Sequence, residues 1–241
     1  VYWGTPVHYK TSQWGIAMII VCGGIKGGGG KTTLATNLAV MRSLAGYDIL
    51  LVDADEQDSA TDFTVLRNQI FEPIGGAGYT AIKLRGQAVR SEVTRMASKY
   101  DDVVIDAGGR DNTGHRAALL VASLYLIPLF PGSFDAWTLD SVAKLIDEAS
   151  AFNNQLKSIC FLNRADAQGG DNEEAAQVAR ETEGLIFLEQ SIGTRKAFRR
   201  SASEGKAVVE YRPKDMKAFE EITRLYRSVF DEKWALAKEN K

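Results

Sequence analysis

Residues 23–33 read GGIKGGGGKTT, between the apolar run MIIVCG (18–23) and the helix-like segment TTLATNLAVMRSLA (32–45). Consecutive glycines let backbone N–H groups converge on an anion without interference from a Cβ. A helix opening near Lys31 adds the positive end of its dipole. Lys31 supplies a charge for the β and γ oxygens of a nucleoside triphosphate, and the Thr32 hydroxyl suits Mg²⁺. The usual spacing G-x-x-x-x-G-K-[ST] is met at Gly30, Lys31 and Thr32 but fails at its first glycine, where Ile25 stands. A flexible glycine turn would explain the glycines alone. It would not explain a strand before them and Lys-Thr-Thr with a helix after.

Outward from this loop the chain alternates. Short runs rich in Ile, Val and Leu lie at 18–23, 48–53, 102–106, 123–129, 157–163 and, more weakly, 184–188. Continuous apolar runs of this length are expected of strands buried on both faces. Helix-length segments fall at 32–45, 134–151, 171–182 and 214–238. The pattern predicts an α/β fold with a doubly wound, mostly parallel sheet flanked by helices. No repeat or Pro-rich linker divides it, so a single domain is expected over 18–241, with 1–17 an extension of unknown role.

Ligands of such sheets bind beyond the carboxyl ends of the strands, and three stretches converge there. The first is the glycine loop. The second is Asp53-Ala54-Asp55-Glu56-Gln57, where carboxylates at i and i+2 can serve a metal and an attacking water, or merely cap a turn. The third is Val103-Val104-Ile105-Asp106 followed by Ala107-Gly108-Gly109-Arg110. An acid at the tip of an apolar strand suits a water-mediated Mg²⁺ contact, and the glycines suit a backbone that changes shape with the γ-phosphate. Arg110 can touch phosphate or form a surface ion pair.

Lys26-Gly27-Gly28-Gly29-Gly30-Lys31-Thr32 resembles the deviant Walker A box, K-G-G-x-G-K-[ST], of the ParA/MinD ATPases, and Val52–Gln57 is similar to that family's V-D-x-D-x-Q run. The resemblance spans Met18 to about residue 230 and is strongest to the short ParA plasmid partition proteins. It implies a P-loop fold binding ATP and Mg²⁺, with Thr33 and the loop glycines around the phosphates. Lys26 would reach across a homodimer to the partner's nucleotide, the alternative being a solvated lysine. Asp53 and Asp106 would organise the metal, and Asp55 would polarise the water. Asn163 would read the adenine edge, although a plain turn asparagine is the alternative. The implied function is ATP-dependent segregation of a plasmid or chromosome, driven by a centromere-binding protein. Its rivals are positioning of a protein cargo (a carboxysome or chemoreceptor cluster) through an adaptor, a MinD-like division ATPase and a metabolic P-loop enzyme.

The chain has 241 residues, 45% hydrophobic and 25% charged, with a net charge of -2, so any polyanion must be held by a local patch. Residues 195–217 provide one, with eight basic residues against three acidic. Arg195, Arg199 and Arg200 are its expected contacts to DNA of any sequence, a solvated basic face being the alternative. The last helix carries Phe219, Ile222, Leu225, Tyr226, Val229 and Phe230 at spacings of three and four, with Trp234 beyond. That pattern predicts core packing rather than a membrane-targeting helix, and stable membrane association is not expected. Cys22 and Cys160 lie in apolar runs and predict reduced thiols. The expected location is the cytoplasm, on the nucleoid. His8 and His115 are too few and too far apart for a metal site or a triad.

Overall fold

In a computed structural model that describes residues 17–109, 111–131, 136–166 and 170–230, strands and helices alternate almost without break. The order is β1 (Met18–Cys22), α1 (Lys31–Leu44), β2 (Ile49–Asp53), α2 (Ser59–Phe71), β3 (Thr80–Lys83), α3 (Ala88–Met96), β4 (Asp102–Asp106) and α4 (Thr113–Leu119). It continues with β5 (Leu124–Leu129), α5 (Ala136–Ser150), β6 (Lys157–Ala165), α6 (Asp171–Glu181), β7 (Leu185–Gly193), α7 (Lys196–Ala202) and α8 (Met216–Phe230). The expected extension at 1–17, His8, Arg110 and Trp234 lie outside the described residues, except for Ala17, which is buried.

The strands form one sheet in the order β3-β2-β4-β1-β5-β6-β7, every pair parallel. Side-chain direction alternates along a strand, and here both directions are buried. Ile19 and Val21 of β1 join Leu50, Val52, Val103 and Ile105 under α3, α4, α5 and α6. Ile20 and Cys22 join Ile49, Leu51, Val104 and Phe161 under α1, α2 and α8. This two-faced burial is why the strands read as unbroken apolar runs. Each large side chain so enclosed contributes about 2 kcal/mol. Cys22 and Cys160 fall in opposite layers, both with free thiols. Burial raises the pKa of both.

The sequence did not reveal β3, α2, α3 or α4. β3 is a four-residue edge strand, TAIK, with one side open, so it lacks the apolar signature of its neighbours. α8 behaves as expected: Ala218, Ile222, Leu225 and Val229 are buried in the layer beneath α1. Among the described residues no helix is long and apolar enough to cross a membrane.

One buried ion pair ties distant parts together. The Arg67 guanidinium of α2 donates to both carboxylate oxygens of Glu210 at 2.7 and 2.9 Å, and to the carbonyls of Ala77 and Gly205 at 2.9 and 3.0 Å. Beside it, Asn37 of α1 accepts the N–H of Val208 at 2.8 Å. The segment after α7 is thereby fixed to both helices that follow the first two strands.

Candidate nucleotide site

The tips of β1, β2 and β4 share one level of the sheet, with Cys22, Asp53 and Asp106 in register. Above them lies a cleft of about 870 Å³ whose lining includes Gly27, Gly28, Gly30, Lys31, Thr32, Thr33, Asp55 and Gly109. Its far wall carries Asp62, Phe63 and Leu66 of α2, with Arg164 and Ala202. That size suits a nucleotide.

The sequence-predicted loop residues come together as expected. α1 starts at Lys31, its first N–H groups facing the glycine loop. Lys31 is buried, and its Nζ donates to the Lys26 carbonyl at 2.6 Å. Burial lowers its pKa, while Asp106 and Asp55 hold the ammonium charged. Lys26, Gly27 and Gly28 are exposed at the crest of the loop.

Asp106 is fully buried and neither of its carboxylate oxygens has a partner with hydrogen-bond geometry. Its pKa is pushed up to about 6, first by burial and then by Asp53 and Asp55, while the Thr32 hydroxyl and the Gly108 N–H favour the charged form. A buried carboxylate so weakly satisfied is costly, and it is what a hard cation needs. Among the described residues no three His, Cys, Asp or Glu gather into a protein cage. Mg²⁺ does not require one, because it keeps waters and shares itself with phosphates. Asp106 and Thr32 therefore fit Mg²⁺, which would neutralise charge on the triphosphate oxygens.

Asp53 behaves differently from expectation. One oxygen accepts the Asp55 N–H at 3.1 Å, and the other accepts the N–H and hydroxyl of Thr61 at 2.8 and 2.7 Å. Its carboxylate anchors the start of α2 and the turn that carries Asp55, which leaves the metal role without geometric support here. Asp55 rests against bare backbone. A Cβ on Gly108, whose φ is +73°, would come within 2.6 Å of the Asp55 carboxyl carbon. A Cβ on Gly109 would meet the Gly27 Cα and the Lys31 Nζ at 2.9 Å. These two glycines pack the segment after β4 against both the phosphate loop and the acid.

Asn163 is buried and its Nδ2 donates to the Gly29 carbonyl at 2.6 Å, so it braces the phosphate loop, a contact not anticipated for a base-reading amide. Arg199 and Arg200 are exposed on α7. Arg195 is not on that helix. It lies in extended backbone before Lys196, its guanidinium paired at 2.6 Å with Glu221 of α8. Arg195 therefore shares no helical face with Arg199, because α7 starts one residue after it.

Comparison with known proteins agrees with this geometry. The family described as the CobQ/CobB/MinD/ParA nucleotide binding domain matches residues 19–208. The chain is 25% identical over 217 residues to maintenance of carboxysome distribution protein A of Halothiobacillus neapolitanus, covering 88% of this chain and 96% of that one. It is 29% identical over 213 residues to the protein of the same name from Gloeobacter kilaueensis, covering 87% and 92%. Among solved structures, an ATP complex of a Cyanothece McdA variant aligns with a TM-score of 0.70 at 16% identity, covering 90% of this chain and 97% of that one. A plasmid partition protein from Borrelia burgdorferi aligns at 0.57 and 19% identity, covering 79% and 96%. With its glycine loop, its strand-tip acids and its parallel sheet, the chain belongs to the ParA/MinD nucleotide-binding ATPase family.

Proposed function

We propose that this protein hydrolyses ATP with Mg²⁺, closes as a homodimer on the nucleotide, binds DNA without sequence preference and positions a cargo presented by a partner protein. The observation that carries the reading is the pairing of two lysines on one glycine loop: Lys31 buried on the strand-tip acids and Lys26 exposed at the crest. The first would neutralise phosphate in its own subunit, and the second, exposed on the loop, would reach a nucleotide held by another. Asp55, set against Gly108, orients the attacking water, since phosphoryl transfer depends on positioning and charge neutralisation. Thr33 lines the same cleft. DNA contacts fall to Arg199 and Arg200, with Arg195 a weaker contributor because Glu221 already holds it.

For the cargo, the two sequence relatives named for carboxysome distribution favour a protein body recognised through an adaptor. A plasmid or chromosome with its centromere-binding protein is the second reading, supported by the likeness of fold to a plasmid partition protein. Work on the nucleoid, in the cytoplasm, suits either.

Sedimentation with a slowly hydrolysed ATP analogue tests the core of the proposal. The parent should dimerise with nucleotide, and Lys26→Ala should remain monomeric while still binding it. A Lys26→Ala dimer as stable as the parent's would refute the trans role.

A further inference from the structure

The turn that carries Asp55 is held from outside the nucleotide site by a residue at the edge of the sheet. β3 runs parallel to β2 with Lys83 opposite Asp53, and the ladder ends where the Leu84 N–H donates to the Asp53 carbonyl at 3.0 Å. Arg85 then folds back. Its Nη1 donates to that same Asp53 carbonyl at 2.7 Å and to the Leu84 carbonyl at 2.8 Å. Its Nη2 pairs with the Asp58 carboxylate, which Lys83 also contacts.

Asp58 precedes α2 with a left-handed φ of 56°. An aspartate at that position commonly caps the helix with its own side chain. This one does not, and its carboxylate goes to Lys83 and Arg85 instead. Those contacts hold the Asp58 carboxyl below its usual pKa. Inside the turn, the Asp58 N–H donates to the Asp55 carbonyl at 3.2 Å and the Gln57 N–H to the Asp55 carboxylate at 3.2 Å. A strained residue is thus fixed by a fork that grips both ends of the turn, and Asp55 lies between them. A non-glycine residue in left-handed backbone costs about 1 kcal/mol or more and persists only where its surroundings hold it.

We propose that Arg85 is the positioning residue for Asp55, bracing the Asp53–Asp58 turn so that the acid faces the reacting phosphate across Gly108. Arg85 does not line the cleft. The inference rests on the reading of Asp55 given above.

The test is steady-state ATP hydrolysis together with direct binding of a fluorescent ATP analogue, on Arg85→Ala, Arg85→Lys, Asp58→Asn, Asp55→Ala and the Arg85→Ala/Asp55→Ala double variant. Arg85→Ala should lose about tenfold in kcat with analogue affinity within threefold of the parent. Lysine keeps the charge but not the fork and should recover part of the loss. Asp58→Asn tolerates left-handed backbone and should lose kcat as Arg85→Ala does, which keeps the test sound if the alanine variant folds poorly. The double variant should be no slower than Asp55→Ala alone, as expected of residues acting as one unit. Unchanged kcat in Arg85→Ala and Asp58→Asn, or equal losses of kcat and affinity with no rescue by lysine, would overturn the role. Additive losses would place Arg85 on a path independent of Asp55 and overturn it as well. Full turnover in Asp55→Ala would instead remove the underlying reading, an outcome distinct from the others.

Discussion

The tips of β2 and β4 stand side by side, end on the same residue type and are both buried, Asp53 at 2% exposure and Asp106 at 0%. They do opposite work. Asp53 is satisfied inside the protein by three donors at 2.7–3.1 Å, whereas neither oxygen of Asp106 has a donor in full hydrogen-bond geometry. The difference lies in the segment that leaves each strand. After β2 the chain turns tightly into α2 and delivers Thr61 back to the tip. After β4 it leaves on glycines whose bare backbone packs against Asp55 and the phosphate loop. A strand-tip acid stays open to a cation when the next segment gives it few donors. It becomes a structural post when that segment supplies them.

The sharpest way to break this contrast is Asp106→Asn. ATP hydrolysis should fall on the order of a hundredfold, because several kcal/mol of charge stabilisation goes with the metal. The nucleotide-free protein should gain stability at neutral pH. With a folded-state pKa of about 6 against 3.8 when unfolded, the native carboxyl holds its proton across that interval while the unfolded one releases it. Stability from this group therefore falls as pH rises from about 4 through 6, and asparagine is exempt. Denaturant melts at pH 5 and pH 7.5 should show the variant's advantage growing toward the higher pH, by about 1–2 kcal/mol. An equal effect at both would deny that burial raises the Asp106 pKa.

Gly108→Ala sharpens the same contrast from the glycine side. The added methyl collides with Asp55 and sits at a φ that L-residues avoid, so kcat should drop about tenfold while Mg·ATP affinity changes little. Loss of affinity by the same factor would mean that the segment builds the phosphate cradle rather than the catalytic geometry.

Asp53→Asn should have the smallest effect. It keeps an acceptor for Thr61 but gives up charge-assisted bonds, which predicts a stability loss of about 1 kcal/mol and a turnover decrease of only a few fold. Mg²⁺ dependence, measured by titrating the metal at fixed ATP, should match the parent. A shifted Mg²⁺ titration would return Asp53 to the metal shell.

How much of this could be read without coordinates depended on how local the signal was. The phosphate loop and the central strands were legible because glycine spacing and two-faced burial both write themselves into contiguous residues. Edge strand β3 was not, since an open edge of four residues has no need of an apolar run, and Arg85 went unseen with it. The bracing of Asp53 by Thr61 was equally hidden, since Thr61 lies eight residues on, in a helix whose periodicity is faint. Arg195 misled for the opposite reason. Its spacing from Arg199 suits a helix, but the helix begins after it, and its counter-charge Glu221 is 26 residues away.

The Arg67–Glu210 pair has a consequence for how the chain is made. Its two halves are separated by 143 positions, which at ordinary rates of protein synthesis means roughly 7–30 s between the arrival of one and of the other. Until Glu210 emerges, packing α2 in its final place would bury a guanidinium with no counter-ion, a penalty of about 3–5 kcal/mol. The nascent chain thus carries its own brake. A chain lacking the segment around Glu210 should therefore leave α2, and with it the wall of the cleft formed by Phe63 and Leu66, loosely held.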